Sequence, residues 1–116
     1  MKLYWFQVAP NPTKVRLAIA EKNAGGAGIV LDDEIVVLPK GEQNSEAHRA
    51  RNPFATLPVL ELDDGSHLVE SLAIIEYLEE RFPQPSLWGS GAEARAHARD
   101  LERIIETRVL NPLIDY

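Results

Sequence analysis

Glu70 and Ser71 stand together where a helical pattern begins: Leu72, Ile75, Leu78 and Phe82 recur near helical spacing, with Pro83 past the end. A serine at a helix start has the unpaired backbone N–H groups of the first turn behind it. The helix dipole adds roughly +0.5 charge there, so the spot favours an anion. Glu70 beside it accepts from an ammonium group. Together they suit a zwitterionic amino-acid end, which carries both charges. Ser71 serves equally well as a plain N-cap, and the two roles are compatible. Asn11-Pro12 is a second helix start, with Asn as N-cap and Pro at the first helical position. Leu57-Pro58 opens an apolar run through Leu60, the pattern of a strand with proline at its edge.

Other chemistries are excluded. There is no cysteine, which removes disulfides, Cys-based metal sites, a Cys nucleophile and redox exchange of the thioredoxin type. His48, His67 and His97 fall on separate elements without ligand spacing, so no metal is expected. Arg16 is expected to be an ion-pair partner, and Asp32-Asp33-Glu34 and Asp63-Asp64 to be solvated turns. The chain has 116 residues, 45% apolar and 26% charged, with 18 acidic against 12 basic side chains and a net charge of −6. That balance is globular and opposes nucleic-acid binding, which needs a basic footprint. No apolar run approaches the roughly 18–20 residues needed to span a bilayer, and the start lacks a signal-peptide stretch. A cytoplasmic protein with no nucleic-acid or membrane partner is the expectation.

The elements that must position these residues follow from the pattern. Lys2 to Phe6 predicts a short buried strand, and Pro12 to about Asn23 a helix closed by Gly25-Gly26-Ala27-Gly28. Glu34 to Leu38, rich in β-branched residues, predicts a second strand, parallel to the first through a right-handed crossover. Asn44 to Arg51 reads as a short helix with Ala47 and Ala50 inward, stopped by Asn52-Pro53. Leu57 to Leu62 and Ser66 to Val69 form a hairpin across Asp63-Asp64-Gly65. A helix over 72–82 completes a four-stranded mixed sheet with helices on both faces. Residues 83–91 have linker composition, and Ala92 to Leu110 forms one long helix with an apolar stripe of Leu101, Ile104, Ile105 and Val109. One helix cannot bury a stripe alone.

Four segments carry a family resemblance. The run from Ala9 to Lys22 resembles the first loop and helix of cytosolic glutathione transferases. Lys40-Gly41-Glu42-Gln43-Asn44-Ser45 resembles the segment before their second helix, and Asn52 to Leu60 their strand with a cis-proline. Asp64 to Leu78 resembles their hairpin and the acidic-serine motif opening the third helix. The four occur in order and at matching spacing. The resemblance implies a thioredoxin-like α/β domain, βαβ-α-ββα, over residues 1–82, a linker over 83–91, and over 92–116 the first helix of an incomplete all-helical domain. It implies an enzyme that activates the thiol of glutathione for attack on a small electrophile or peroxide, without metal, as a homodimer. A non-catalytic binding module of the same fold is the alternative.

The resemblance also assigns the site. Glu70 and Ser71 take the γ-glutamyl end of glutathione. Leu57, before a cis Pro58, offers its backbone to the peptide. Gln43 takes the glycine carboxylate, with Lys40 as a second choice and a solvated loop side chain as the rival reading. At the catalytic position this chain departs from the family. The place of the serine or threonine hydroxyl is Ala9, and the place of the tyrosine is Trp5. Asn11 then holds the thiolate, helped by amides near Thr13, or is only a cap. Thr13 is a weaker second. A thiol of pKa about 8.5 lowered by two units needs roughly 2.7 kcal/mol of preferential thiolate binding. If the second domain supplies most of the electrophile pocket, these 116 residues alone bind glutathione with little turnover and self-associate through the stripe.

Overall fold

In the computed structural model, which describes residues 1–115, the chain forms two compact units, Met1–Pro85 and a second from Ser86 onward. The first unit is built on a four-stranded sheet. β1 (Lys2–Trp5) is central, parallel to edge strand β2 (Asp32–Ile35) and antiparallel to β3 (Val59–Glu61), which pairs with β4 (His67–Leu68) in the order β2-β1-β3-β4. Helix α1 (Pro10–Ala24) crosses from β1 to β2. Two 3-10 turns, Leu38–Lys40 and Glu42–Asn44, lead into α2 (Glu46–Arg51), and α3 (Ser71–Arg81) follows the hairpin.

Alternation along β1 buries both faces of the sheet. Tyr4 joins Val36, Leu57 and Val59, with Phe6, Leu38 and Val69 packed against them. Leu3 points to the opposite face, pairs in register with Leu60, and is fully buried, as are Val15 of α1 and Ile74 of α3. Burying each such side chain stabilises the fold by about 1.5–3 kcal/mol. Helices α1 and α3 pack side by side. Between them lies Lys22, whose Nζ is 2.6 Å from the Glu79 carboxylate with both side chains 1% exposed. Lys22 also donates at 2.7 Å to the carbonyls of Phe82 and Pro85, beyond the last turn of α3.

Several expected details differ. The second strand is Asp32–Ile35 rather than 34–38, so Asp32, Asp33 and Glu34 are strand residues and not solvated turns. Edge position explains this. All four residues are exposed, and side-chain pairs Lys2–Glu34 at 3.1 Å and Arg16–Asp33 at 2.9 Å supplement the backbone ladder. Charges on an edge also discourage pairing with another chain. Val36 only prolongs the strand by one bond, its N–H donating to the Trp5 carbonyl at 2.9 Å. In α2 the inward residue is His48, fully buried, while Ala47 and Ala50 are exposed. The caps also move by a residue or more. Ala9 caps α1, so Asn11 is inside the first turn, and Glu70 caps α3, so Ser71 is its first helical residue.

In the second unit, α4 (Ala92–Ile105) passes into a π-helical turn, Glu106–Leu110, and then α5 (Asn111–Asp115). Pro112, near the start of α5, has no N–H to donate back to the preceding turn. Leu101, Ile104, Ile105 and Val109 are exposed, as are Leu113 and Ile114. Among the described residues no helix is long and apolar enough to cross a membrane.

Candidate functional site

The registers decide which residues meet. Lys2 pairs with Glu61 and Tyr4 with Val59, so the next position sets Trp5 beside Pro58. Leu60 pairs with Leu68, so two positions further Glu70 lies opposite Pro58. β2 runs parallel to β1, so the segment after Ile35, which carries Gln43, leaves from the same end. The end of β1, the entry to β3 and the starts of α1 and α3 therefore share one end of the sheet, the end where open α/β sheets bind ligands. Asn11, Gln43, Leu57, Pro58, Glu70 and Ser71 all fall on segments at this end.

Helix α3 supplies the anion-binding part. Its first intrahelical bond runs from the Ile74 N–H to the Glu70 carbonyl at 3.0 Å, so the N–H groups of Leu72 and Ala73 have no acceptor within the helix. The Glu70 side chain does not cap its own helix and is exposed, while Ser71 is 3% exposed. Leu57 and Pro58 are buried ahead of the first paired residue of β3, and the bond between them is cis, as the resemblance implies. Gln84–Pro85 is a second cis bond, which nothing in the sequence analysis anticipated.

The start of α1 is poorer in donors. Pro10 and Pro12 have no N–H, and the Thr13 N–H already donates to the Ala9 carbonyl at 3.2 Å. The Thr13 hydroxyl donates to the same carbonyl at 2.8 Å. Both Thr13 donors are thus engaged with the backbone of its own first turn. What remains is the Asn11 backbone N–H and side chain. Asn11 Oδ1 is buried without a partner, and so are Gln43 Oε1 and Trp5 Nε1. A buried polar atom without a partner costs about 1–3 kcal/mol, and these three lie on segments leaving one sheet end. Which amide atom is oxygen and which nitrogen is fixed only by partners, so either amide can turn to donate. Lys40 is exposed, and Arg16 is the ion-pair partner it was expected to be, stacked 3.9 Å over the Trp5 ring. A cavity of about 350 Å³ lined by Trp5, Gln7, Thr13, Arg16, Leu17 and Ala20 runs along α1 from this end.

Residues 3–86 match the glutathione S-transferase N-terminal domain. The chain belongs to the glutathione S-transferase family. The first unit of this glutathione S-transferase chain has the family's thioredoxin-like fold. The chain is 36% identical over 105 residues to a maleylacetoacetate isomerase of Pseudomonas aeruginosa, covering 90% of this chain and 48% of that protein. In structure it is similar to a holo maleyl pyruvate isomerase, a bacterial glutathione S-transferase of the Zeta class. That likeness has a TM-score of 0.79 and 33% identity, over 92% of this chain and 48% of the other. A maleylacetoacetate isomerase of Methylobacterium extorquens AM1 with bound malonate and glutathione gives a TM-score of 0.80 and 32% identity, over 90% of this chain and 47% of the other. The chain spans about half the length of these relatives.

Sequence reasoning missed two groups at this end. Trp5 was noted only for not being a tyrosine, although an indole at a strand end carries a donor. His48 and Asn52 were read as a helix residue and a stop, yet both hold the turn before Leu57.

Proposed function

We propose that this chain binds glutathione across the strand ends and holds its thiol as a thiolate for addition to an electrophilic unsaturated acid. The observation that carries the reading is the register, which brings Leu57–Pro58, Glu70–Ser71 and the starts of α1 and α3 to one sheet end. Ser71 and the open amides of α3 take the γ-glutamyl carboxylate, and Glu70 its ammonium. The Leu57 backbone pairs with the middle of the tripeptide, and the Gln43 amide donates to the glycine carboxylate. Dimensions agree. Three strand spacings are about 14 Å, and an extended tripeptide spans roughly 10–11 Å before the longer γ-linkage is added.

Asn11 is the group that meets the sulfur. Its amide donates to a thiolate where Ala9 has no hydroxyl. The relatives that isomerise maleyl acids favour one outcome. A maleyl group is a cis alkene activated by carbonyls. Thiolate addition forms a C–S bond and moves the alkene electron pair onto the carbonyl as an enolate. The former double bond then rotates, and collapse of the enolate expels the thiolate and leaves the trans alkene. Glutathione is regenerated and acts as cofactor; where protonation traps the adduct, the same step is a transfer. Residues 1–82 form the glutathione-binding domain in this reading, 83–91 a linker, and 92 onward the first helix of an all-helical domain, which the greater length of the relatives supports.

Calorimetric titration with glutathione tests the binding, and the absorbance of maleylacetoacetate or maleylpyruvate, with and without glutathione, tests the reaction. Saturable binding is expected, with glutathione-dependent cis-to-trans conversion that is slow for these 116 residues alone but above the uncatalysed rate. Absence of binding at millimolar glutathione overturns the whole reading. Binding with neither conversion nor adduct formation leaves only the non-catalytic module that Ala9 favours.

A further inference from the structure

His48 is fully buried, and its ring has two contacts. Nε2 lies 3.0 Å from the Thr56 carbonyl oxygen, and Nδ1 lies 3.4 Å from the Arg51 guanidinium. A guanidinium has only donors, so Nδ1 is the acceptor and the ring proton sits on Nε2, donating to Thr56. Asn52 Nδ2 donates to that same carbonyl at 3.0 Å and to the Thr56 hydroxyl at 2.8 Å. Its Oδ1 accepts from the Phe54 N–H at 3.0 Å. Two side chains therefore grip one carbonyl, in a turn where Ala55 takes φ 56°.

The Thr56 carbonyl and the Leu57 N–H belong to one planar peptide unit. That unit is trans, so the two groups point in opposite directions. Gripping the carbonyl from the α2 side fixes the Leu57 N–H pointing away from α2. We propose that His48 is a positioning residue for the ligand: through the Thr56 carbonyl it aims the Leu57 N–H at the peptide carbonyl of bound glutathione. This rests on the reading of Leu57 as a backbone partner and adds a residue outside the ligand's reach. Sequence alone offered no hint of it, because a buried histidine on a short helix is more often a packed core residue.

The test compares His48→Gln with His48→Met, side chains of similar length of which only Gln carries a donor to replace Nε2–H. Glutathione affinity is read by calorimetry and folding by thermal denaturation. The expected result is that His48→Met binds about fivefold more weakly than wild type, the scale of one neutral hydrogen bond, while His48→Gln recovers most of the loss. Equal affinities for the two variants overturn the proposal, whatever their melting temperatures. If neither folds, the wild type decides. The His48 Nε2 proton resonance is expected to shift on saturation with glutathione, and no shift overturns the role. If the wild type itself fails to bind glutathione, the site reading fails and takes this with it. Binding by the wild type with no difference between the variants removes only His48.

Discussion

The two ends of the first unit's sheet treat the same helices in opposite ways. At one end α1 and α3 begin with caps that do not use a side chain, and Asn11 and Gln43 carry buried amide oxygens without partners. At the other end Lys22 closes the gap between the helices, paired with Glu79 and with the carbonyls of Phe82 and Pro85. A lysine there also meets the negative end of the α3 dipole. Lys22 lies twelve residues from Pro10, about 18 Å along a helix. The contrast teaches where each role is held. Polar groups at the far end are satisfied by one another and serve stability, while at the near end Asn11, Gln43 and Trp5 keep buried polar atoms without partners, where the proposed ligand would lie.

The largest effect should come from breaking the clamp. Lys22→Met leaves the Glu79 carboxylate buried without its cation and should cost about 3–5 kcal/mol in denaturant unfolding. The double variant Lys22→Met/Glu79→Leu should recover most of this, though the Phe82 and Pro85 carbonyls stay without their donor. Glutathione affinity of the folded clamp variants should match wild type. A large affinity loss would mean the two ends are not separate.

The second effect belongs to the near end. Ser71→Ala should weaken glutathione binding by about 1.5–3 kcal/mol, roughly 10- to 150-fold, the range of a hydrogen bond to a charged group. Unchanged affinity in calorimetry removes Ser71 from the site. Glu70→Gln should lose less, about fivefold, because the carboxylate is exposed and screened. An analogue of glutathione lacking the α-amino group should bind wild type and Glu70→Gln alike. Discrimination by that analogue contradicts the ammonium role.

The smallest effect is electrostatic and lies at the far end. The Met1 ammonium donates to Asp63 at 2.7 Å and holds that carboxyl below its ordinary 3.8. A lowered carboxylate contributes stability that is present above the ordinary value and lost as pH falls through the folded-state value. Asp63→Asn should therefore be slightly less stable than wild type near neutrality. The difference should vanish in acid below the lowered value, as followed by thermal denaturation across pH. A gap that widens in acid would contradict the pairing.

Local rules made much of this legible. Strand β1, helix α1, the hairpin at Asp64-Gly65 and helix α3 each carry their own pattern, and the four motif segments fixed the order of elements. The second strand was misplaced because Ile35, Val36 and Val37 outweigh Asp32-Asp33-Glu34 in strand propensity. An edge strand, however, is held by backbone pairing and by Lys2 and Arg16, whose positions only the fold supplies. The α1 cap slipped because two prolines so close together, Pro10 and Pro12, each suit a first turn. Lys22 was invisible because its partner Glu79 is distant in sequence, and His48 because its partner is a carbonyl.

Amide chemical shifts of the isotope-labelled chain, followed as glutathione is added, test the contrast between the two ends most directly. The account predicts saturable shifts at Leu57, Ser71, Leu72 and Ala73, and none beyond noise at Lys22, Asp63 and His67. Shifts clustered around Lys22 and Asp63, or none at the α3 start, would contradict it.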